Sequence, residues 1–473
     1  MLRLYIINDP IGYDEAYTFI NFSSKPFKFI LADYHAPNNH ILNSLIIGFV
    51  YRMLGNHIWI VRVPAFIASV LSVPVSFVTA RRFFTAQQSL GVAATLAVAP
   101  NLVETAANGR GYPLIILFSL LLLNFAGILV KNQSLSALTA YAITGALGFY
   151  SIPIFLYPMA GISLWVAATY LSDDEIWQSK SIKLKNFLIA CAASGALTLL
   201  LYSPVIIFGT GFESLIANDI VKPQSWQDFS ENSVALSAYT WRNWMAPLAP
   251  IVRYILGLGF FLSVIFYRNT SNQKLPLQIF ILFSTGVIVV LQRVFPLPRI
   301  WSFLEMLYLL FAATGLIGTL HLVLKIIKME KFNQVVLPII ISAIALSVFT
   351  NVTLKTQNRQ ARLNRTIAPE KFAADYLTEH LTDEDTIIAV APADIRTAYY
   401  LKINGVSYDF FYQRDHPVEI QNAMVLVRTH GEYNINTLEK VLDFYKLTSK
   451  LDVSSTQQVF EYGPLFIYSI PAN

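Results

Sequence analysis

PLIILFSLLLLNFAGILV, residues 113–130, runs for 18 positions without a charged side chain. A helix needs about 20 mostly apolar residues to cross the hydrocarbon core of a bilayer. Similar runs recur along the chain and predict ten spans, at 58–80, 88–107, 113–131, 134–150, 153–171, 185–207, 247–267, 275–294, 300–324 and 334–353. The sequence therefore predicts a multi-pass α-helical membrane protein.

The composition supports this reading. Of the 473 residues, 55% are hydrophobic and 13% are charged, and the mean hydropathy is +0.51. Soluble domains carry about 25% charged residues, so an ordinary cytosolic enzyme and a disordered chain are both excluded. Cys191 is the single cysteine, so no intramolecular disulfide can form.

The charges are unevenly distributed. Residues 1–354 carry 22 Lys or Arg and 14 Asp or Glu, whereas residues 355–473 carry 12 and 15. The excess positive charge lies in short loops between apolar runs, which is typical of membrane topology and does not indicate a nucleic-acid partner. By the positive-inside rule, the more basic set of alternate loops faces the cytoplasm. The N-terminal segment and the tail are then expected outside.

Three regions are predicted. Residues 1–57 form a first external loop, in which 38–54 is an interfacial helix on the outer leaflet. Residues 58–354 form a bundle of about ten helices with a long external loop at 208–246. Because MLRLYIIN at 1–8 looks like the end of a membrane helix, a further span is expected upstream of a start codon chosen too late.

Residues 355–473 read as an external α/β domain. Helices are predicted at 369–381, 394–402 and 436–445, and strands at 386–390 and 424–428. The last two apolar stretches suggest a hairpin that turns at Gly463-Pro464. About 120 residues suffice for a separate core.

Adjacent carboxylates at Asp14 and Glu15 stand in an aromatic setting that includes Tyr13. One of them is a candidate base that removes a proton from an acceptor hydroxyl. The alternative is that Asp14 or Glu15 caps a helix beginning at Ala16. The residues alone favour neither reading.

Three arginines in loops on the predicted outer side of the bundle are candidates for phosphate binding, because the planar guanidinium bonds oxygens in pairs. Arg110 and Tyr112 lie in the RGY loop, and Arg293 and Arg299 flank the FPLP turn. The alternative is that they anchor the protein at the headgroups. Glu305, near the start of a span, is a weaker candidate. A divalent metal held by His35 and His40 with Asp14 or Glu15 is a weak possibility, so no cofactor is required.

Taken together, LRLY and DEAYT near the start, HAPNNHIL, GNHIWIVRVPA, RRFF and the RGY loop resemble a known family. They are similar to the membrane glycosyltransferases of the GT-C superfamily that use polyprenyl-phosphate sugars. The nearest relatives are bacterial members of the dolichyl-phosphate-mannose protein mannosyltransferase-like group, and the aminoarabinose transferase of lipid A belongs to the same superfamily. The resemblance is strongest over residues 2–130.

The resemblance implies a GT-C-like helical bundle in the bacterial inner membrane and an external C-terminal domain. It implies inverting transfer from a polyprenyl-phosphate sugar to a glycan, lipid or protein acceptor of the cell envelope. Asp14, with Glu15 beside it, would activate the acceptor, and Arg110 and Arg299 would hold the leaving phosphate. The resemblance places His35 and Asn38 among further donor-site residues. Asn39, Tyr13 and Tyr112 are additional candidates for substrate binding. The PRI element departs from the PRY of relatives, and RGY replaces a second acid, so metal dependence is not implied.

Two other functions fit a bundle of this kind. A transporter or flippase of lipid-linked sugars would need the spans without the chemistry. However, such proteins usually show internal repeats and broken helices at the midplane, and the chain has no detectable repeat. An inactive scaffold of the same fold is the third reading.

Overall fold

The computed structural model describes residues 2–173, 175–216, 222–328, 369–413, 419–429 and 434–473. The chain folds into two compact units. The first unit comprises Met1–Ile7, Phe27–Ile46 and Arg62–Lys355, and the second comprises Asn8–Pro26, Ile47–Val61 and Thr356–Asn473. The chain therefore alternates between the units before residue 62.

The described helices up to residue 326 follow one another closely. They are α1 (Leu2–Tyr5), α2 (Tyr13–Thr18), α3 (Phe27–Ala32), α4 (Ile41–Leu54), α5 (Val63–Ala80), α6 (Ala86–Val98), α7 (Pro100–Thr105), α8 (Tyr112–Leu129), α9 (Leu135–Ser151), α10 (Leu156–Leu171), α11 (Trp177–Phe208), α12 (Phe212–Ile216), α13 (Trp226–Met245), α14 (Pro250–Ile265), α15 (Tyr267–Thr270), α16 (Leu277–Gln292) and α17 (Ser302–Ile326).

Within the described residues, five helical stretches are long and apolar enough to cross a membrane. They are Ile58–Ala80, Tyr112–Leu129, Pro153–Leu171, Trp177–Phe208 and Pro298–Ile326. A sixth results if α13 and α14, which meet at a bend of 115°, count as one span. The predicted multi-pass helical fold is confirmed.

The remaining predicted spans have other outcomes. The stretches 134–150, 247–267 and 275–294 contain the helices α9, α14 and α16, each of 16 or 17 residues. The stretch 88–107 is divided, because Pro100 starts a new helix directly after the break at Ala99. The predicted span 334–353 lies outside the described residues.

Two predicted external segments contain helices. α4 has 14 residues, about 21 Å in length, which is shorter than a hydrocarbon core of about 30 Å. Its place on the outer leaflet stays a prediction. The segment 208–246, expected as a loop, contains the 20-residue helix α13, whose N-cap Ser225 accepts a hydrogen bond from the N–H of Asp228.

Close helix packing in the first unit depends on small residues. α14 packs against α17 at Gly259 and Gly315. A Cβ at Gly315 would lie 2.0 Å from the carbonyl oxygen of Gly259, and one at Gly259 would lie 2.4 Å from that of Ala312. Only glycine permits this approach, as in other membrane helix pairs.

The second unit contains a small α/β domain. Its helices and strands are α18 (Pro369–His380), β1 (Asp385–Ala389), α19 (Ala393–Ile403), β2 (Asn422–Arg428), α20 (Leu438–Tyr445), β3 (Gln457–Tyr462) and β4 (Leu465–Pro471). The sheet has the order β1-β2-β4-β3, with β1 and β2 parallel and the other pairs antiparallel. The helices, strands and hairpin predicted for the tail are confirmed.

Strand alternation divides the apolar residues of this domain between the two faces of the sheet. Ile388 and Val425 belong to a cluster with α20. Ile387 and Leu426 belong to another cluster with α18 and α19. That second cluster also contains residues from 8–26 and 47–61, which explains why these two stretches group with the C-terminal residues.

Candidate active site

Residues 8–26, hereafter the acid segment, carry the predicted catalytic carboxylates. α2 begins at Tyr13, with Gly12 as its N-cap. The Glu15 side chain reaches back, and its Oε2 accepts a hydrogen bond from the N–H of Gly12 at 2.8 Å. Glu15 is buried. The capping alternative thus holds for Glu15, although the helix starts three residues before Ala16.

Asp14 has a different environment from its neighbour. It is half-buried, whereas Glu15 is only 4% exposed. Tyr13 is also half-buried, and its ring centroid lies 6.4 Å from that of Tyr17. The two adjacent carboxylates therefore differ in exposure, and the hydrogen bond from Gly12 gives Glu15 a capping role.

The first unit brings His40 and the RGY loop together. The Nδ1 of His40 accepts a hydrogen bond from the N–H of Gly111 at 2.8 Å. Its Nε2 lies 3.4 Å from the Nη2 of Arg110, and its ring meets Tyr112 edge-on at 5.4 Å. A Cβ at Gly111 would lie 3.1 Å from Nδ1, so this glycine allows the approach of the imidazole.

The charge of His40 is set by its surroundings. Burial lowers its pKa well below the usual value, and the nearby Arg110 and Arg299 lower it further. A neutral His40 whose Nδ1 accepts a hydrogen bond must carry its proton on Nε2. Nε2–H and the Arg110 guanidinium are therefore adjacent donors, which suits an anionic oxygen.

Two residues that sequence reasoning missed support this cluster. The buried Asn43 donates from Nδ2 to the carbonyl oxygen of Gly109 at 2.9 Å and so fixes the RGY loop on α4. Tyr34 is buried, which raises the pKa of its phenol, and Arg110 opposes that rise. Neither residue belongs to a local motif, because each acts on a partner far away in the sequence.

The other predicted binding residues have separate positions. Asn39 is fully buried, and its Nδ2 donates to the carbonyl oxygens of Ile30 at 2.9 Å and Asp33 at 2.7 Å, which is a structural role. His35 is exposed and pairs with Asp33. Asn38 is half-buried and accepts the backbone N–H of His40 through its carbonyl oxygen at 2.9 Å.

The two arginines of the FPLP turn differ. Arg299 is exposed and close enough to His40 to influence its titration. Arg293 ends α16 in the left-handed conformation, with φ of 51°. Its guanidinium carbon lies 5.4 Å from the ring centroid of Trp226, which is a cation–π contact. The positive charge of Arg299 therefore acts on His40, whereas Arg293 pairs with an aromatic side chain of α13.

Glu305 is buried in the first turn of α17. Its Oε1 accepts a hydrogen bond from the Nδ2 of Asn101 at 2.7 Å. The same amide is 3.3 Å from the carbonyl oxygen of Trp244. Asn101 follows the break between α6 and α7, so the acid is part of a polar contact that joins this break to α17.

Across the part of the chain that the structure describes, no group of three or more His, Cys, Asp or Glu side chains lies close enough together to hold a metal ion. His40 in particular uses its Nδ1 for the N–H of Gly111. Its imidazole thus has a hydrogen-bonding role within the first unit.

Part of the chain matches a known protein family, and nearly all of it matches known structures. Residues 37–208 match the family model described as dolichyl-phosphate-mannose-protein mannosyltransferase. ArnT from Cupriavidus metallidurans in the apo state is 13% identical, with a TM-score of 0.62, over 99% of this chain and 95% of that chain. The chain shares its fold with ArnT. No curated protein matches the sequence.

A second ArnT structure, bound to undecaprenyl phosphate, gives a TM-score of 0.63 at 13% identity, over 98% of this chain and 94% of that chain. The match to the family model confirms the predicted resemblance to the mannosyltransferase-like group, and the two ArnT structures show that the predicted fold is shared. Arg110 and His40 fall inside the range that matches the family model, whereas Asp14 and Arg299 fall outside it.

Proposed function

We propose that this protein is a membrane glycosyltransferase that moves a sugar from a polyprenyl-phosphate carrier to an acceptor on the outer, periplasmic face. The observation that carries the proposal is the buried contact of Arg110 with the neutral His40, whose pKa the nearby Arg299 also lowers, in a fold that ArnT shares. That ArnT structure was solved with undecaprenyl phosphate, a ligand that such a cluster suits. The identity of the sugar and of the acceptor stays open within this class.

In the proposed reaction, Asp14 takes the proton of the acceptor hydroxyl as its oxygen attacks the anomeric carbon. The bond between that carbon and the phosphate oxygen breaks, and the electron pair leaves with the phosphate. Attack from the face opposite the leaving group inverts the anomeric configuration. Arg110, Arg299 and the Nε2–H of His40 stabilise the charge that develops on the departing phosphate.

The proposed topology follows from the same function. The donor phosphate lies at the outer leaflet, so the acid segment and residues 355–473 are placed outside. Residues 58–354 then form the membrane bundle, with 1–57 as the first external region. The role of the C-terminal domain is taken up below.

The test uses the protein in proteoliposomes with a panel of radiolabelled polyprenyl-phosphate sugars. We expect the wild type to release label from the lipid, even slowly to water, and Asp14→Asn to release it only at background level. A transporter would tolerate Asp14→Asn and move label across the bilayer. Equal background release by both proteins, without movement of label, would support the scaffold reading.

The phosphate site has its own test, which is equilibrium binding of undecaprenyl phosphate. Arg110→Gln removes a charge-assisted donor worth about 1.5–3 kcal/mol, so affinity should fall between about tenfold and a hundredfold. Arg268→Gln is the matched control, because Arg268 is an exposed arginine of the same unit, on the short helix α15 between two predicted spans. Equal affinities for the two variants would contradict the assignment.

A further inference from the structure

The acid segment forms one compact unit with the C-terminal domain, although more than 300 residues separate them in the sequence. Ile11, Ala16, Phe19 and Ile20 are all buried in the apolar cluster that covers one face of the domain. The segment is thus built into the core of this unit. Asp14 lies between these buried positions and stays half-buried itself.

The start of the acid segment is fixed by a hydrogen bond from the domain. The phenol oxygen of Tyr400, on α19, accepts the backbone N–H of Ile11 at 3.2 Å. Ile11 is fully buried and Tyr400 is 6% exposed, so water does not readily replace this bond. Ile11 directly precedes Gly12, the N-cap of the helix that carries Asp14.

The middle of the segment is held by aromatic packing. The Phe19 ring meets Tyr399 of α19 at 5.3 Å with an interplanar angle of 74°. On its other side it meets Tyr51 of α4 at 5.0 Å and 88°. Both contacts are the edge-to-face arrangement that aromatic rings prefer.

The end of the segment is held by α4. The Arg52 guanidinium donates to the carbonyl oxygens of Ser23 and Lys25, and to that of Gly48 in its own helix at 2.6 Å. The segment is therefore restrained before the short helix of Asp14 and at two places after it. The first two restraints come from consecutive residues of α19.

From these contacts we propose that the C-terminal domain sets the position of Asp14, with Tyr400 and Tyr399 as positioning residues. The inference rests on the proposed function, because it assigns the domain a part in the same reaction. General-base catalysis requires the base within hydrogen-bond reach of its proton, and a misplacement of about 1 Å can cost a hundredfold in rate. Because the domain fixes the backbone beside Asp14, loss of these contacts should lower kcat.

The first test is Tyr400→Phe, which removes the acceptor of the Ile11 N–H and keeps the aromatic ring. Tyr445→Phe is the matched control. Tyr445 donates its hydroxyl to the backbone carbonyl oxygen of Ala389 at 2.8 Å. Its ring packs against the apolar cluster on the other sheet face, which contains no described residue of the acid segment. Both variants lose one tyrosine hydroxyl from the same unit.

Two measurements on the full-length protein in proteoliposomes separate the variants. Amide hydrogen exchange in the peptide around Ile11 should be about tenfold faster in Tyr400→Phe and unchanged in Tyr445→Phe. The kcat for release of the labelled sugar should fall about tenfold in Tyr400→Phe, with KM for the lipid donor unchanged. Exchange in β2 should stay at the wild-type rate, which reports that the domain remains folded.

A double variant tests whether Tyr400 acts through the acid. In an Asp14→Glu background, which keeps a carboxylate but misplaces it, Tyr400→Phe should reduce turnover by much less than in the wild type. If Tyr400→Phe reduces turnover in the Asp14→Glu background by the same factor as in the wild type, the positioning role is overturned. Identical behaviour of Tyr400→Phe and Tyr445→Phe would also overturn it. If Tyr400→Phe does not fold, Tyr399→Leu removes the Phe19 contact and takes its place, with the same outcomes.

Failure of the proposed function gives a different pattern. Turnover by Asp14→Asn at the wild-type rate would refute Asp14 as the base, whatever the exchange experiment shows. Loss of turnover in Asp14→Asn, together with wild-type kinetics and exchange in Tyr400→Phe, would refute the positioning inference alone.

Discussion

Replacement of the buried His40 should change how stability depends on pH. The folded protein holds this imidazole neutral, because burial, Arg110 and Arg299 lower its pKa. The unfolded chain protonates it below about pH 6.5. The unfolded state then binds more protons, so the folded state loses stability as the pH falls from about 6.5 toward the folded-state pKa. Above pH 6.5 the effect vanishes.

The magnitude follows from proton linkage. One site contributes at most about 1.4 kcal/mol per pH unit, so lowering the pH from 6.5 to 5.0 costs up to about 2 kcal/mol. His40→Gln removes the titrating ring, and the amide oxygen of glutamine can still accept the N–H of Gly111. The variant should lose less stability at low pH than the wild type, with a difference in Tm of up to about 4 °C.

The assay is thermal unfolding of the purified protein in detergent between pH 5 and 8. His380→Gln is the control, because it removes an exposed histidine, whose ring stacks on Tyr376 at 4.1 Å. Other groups titrate in every protein, so the difference between each variant and the wild type is the relevant quantity. Parallel pH curves for the wild type and His40→Gln would refute the buried, neutral state of His40.

Two further substitutions test other parts of the site and the fold. Glu15→Gln should keep most of the turnover that Asp14→Asn loses, because the amide oxygen can still accept the N–H of Gly12. Equal losses in the radiolabel assay would show that the Glu15 carboxylate is as necessary as that of Asp14 and would contradict a capping role alone. Arg428→Met should destabilise the second unit by about 1.5–3 kcal/mol, because it removes the arginine that donates a hydrogen bond to Glu370, which is fully buried, and leaves Arg396 at 3.7 Å as its ion-pair partner. Hydrogen exchange in β2 measures this loss, and unchanged protection there would contradict it.

Much of the fold could be predicted because its signals are local. An uncharged run such as 113–130 has few structural options other than a span, and alternating apolar residues in the tail define both faces of a sheet. Pro100 sits at the start of a helix, and this explains a break that hydropathy alone does not reveal. The extent of the 20-residue helix α13 was missed, because its polar composition resembles that of a loop.

The site was less accessible to such reasoning, because its contacts join distant parts of the chain. Residue type and position in predicted external segments suffice to propose Arg110 and Asp14 as site residues, and both assignments stay predictions. The cap on Gly12 by Glu15 and the bond of His40 to Gly111 depend on backbone geometry that the sequence does not display. The contact between Ile11 and Tyr400 spans 389 positions and leaves no trace in either segment.

The neutrality of His40 gives the proposed phosphate site a definite charge balance. A polyprenyl-phosphate sugar is a phosphodiester with a single negative charge, whereas the departing monoester carries about −1.5 to −2 near pH 7. Arg110 and Arg299 supply two positive charges, and His40 supplies a donor without adding a third. The two positive charges of the site therefore match the charge of the departing phosphate monoester better than the single negative charge of the bound donor. Because only interactions that strengthen in the transition state accelerate the chemical step, this balance favours transfer over tight binding of the intact donor.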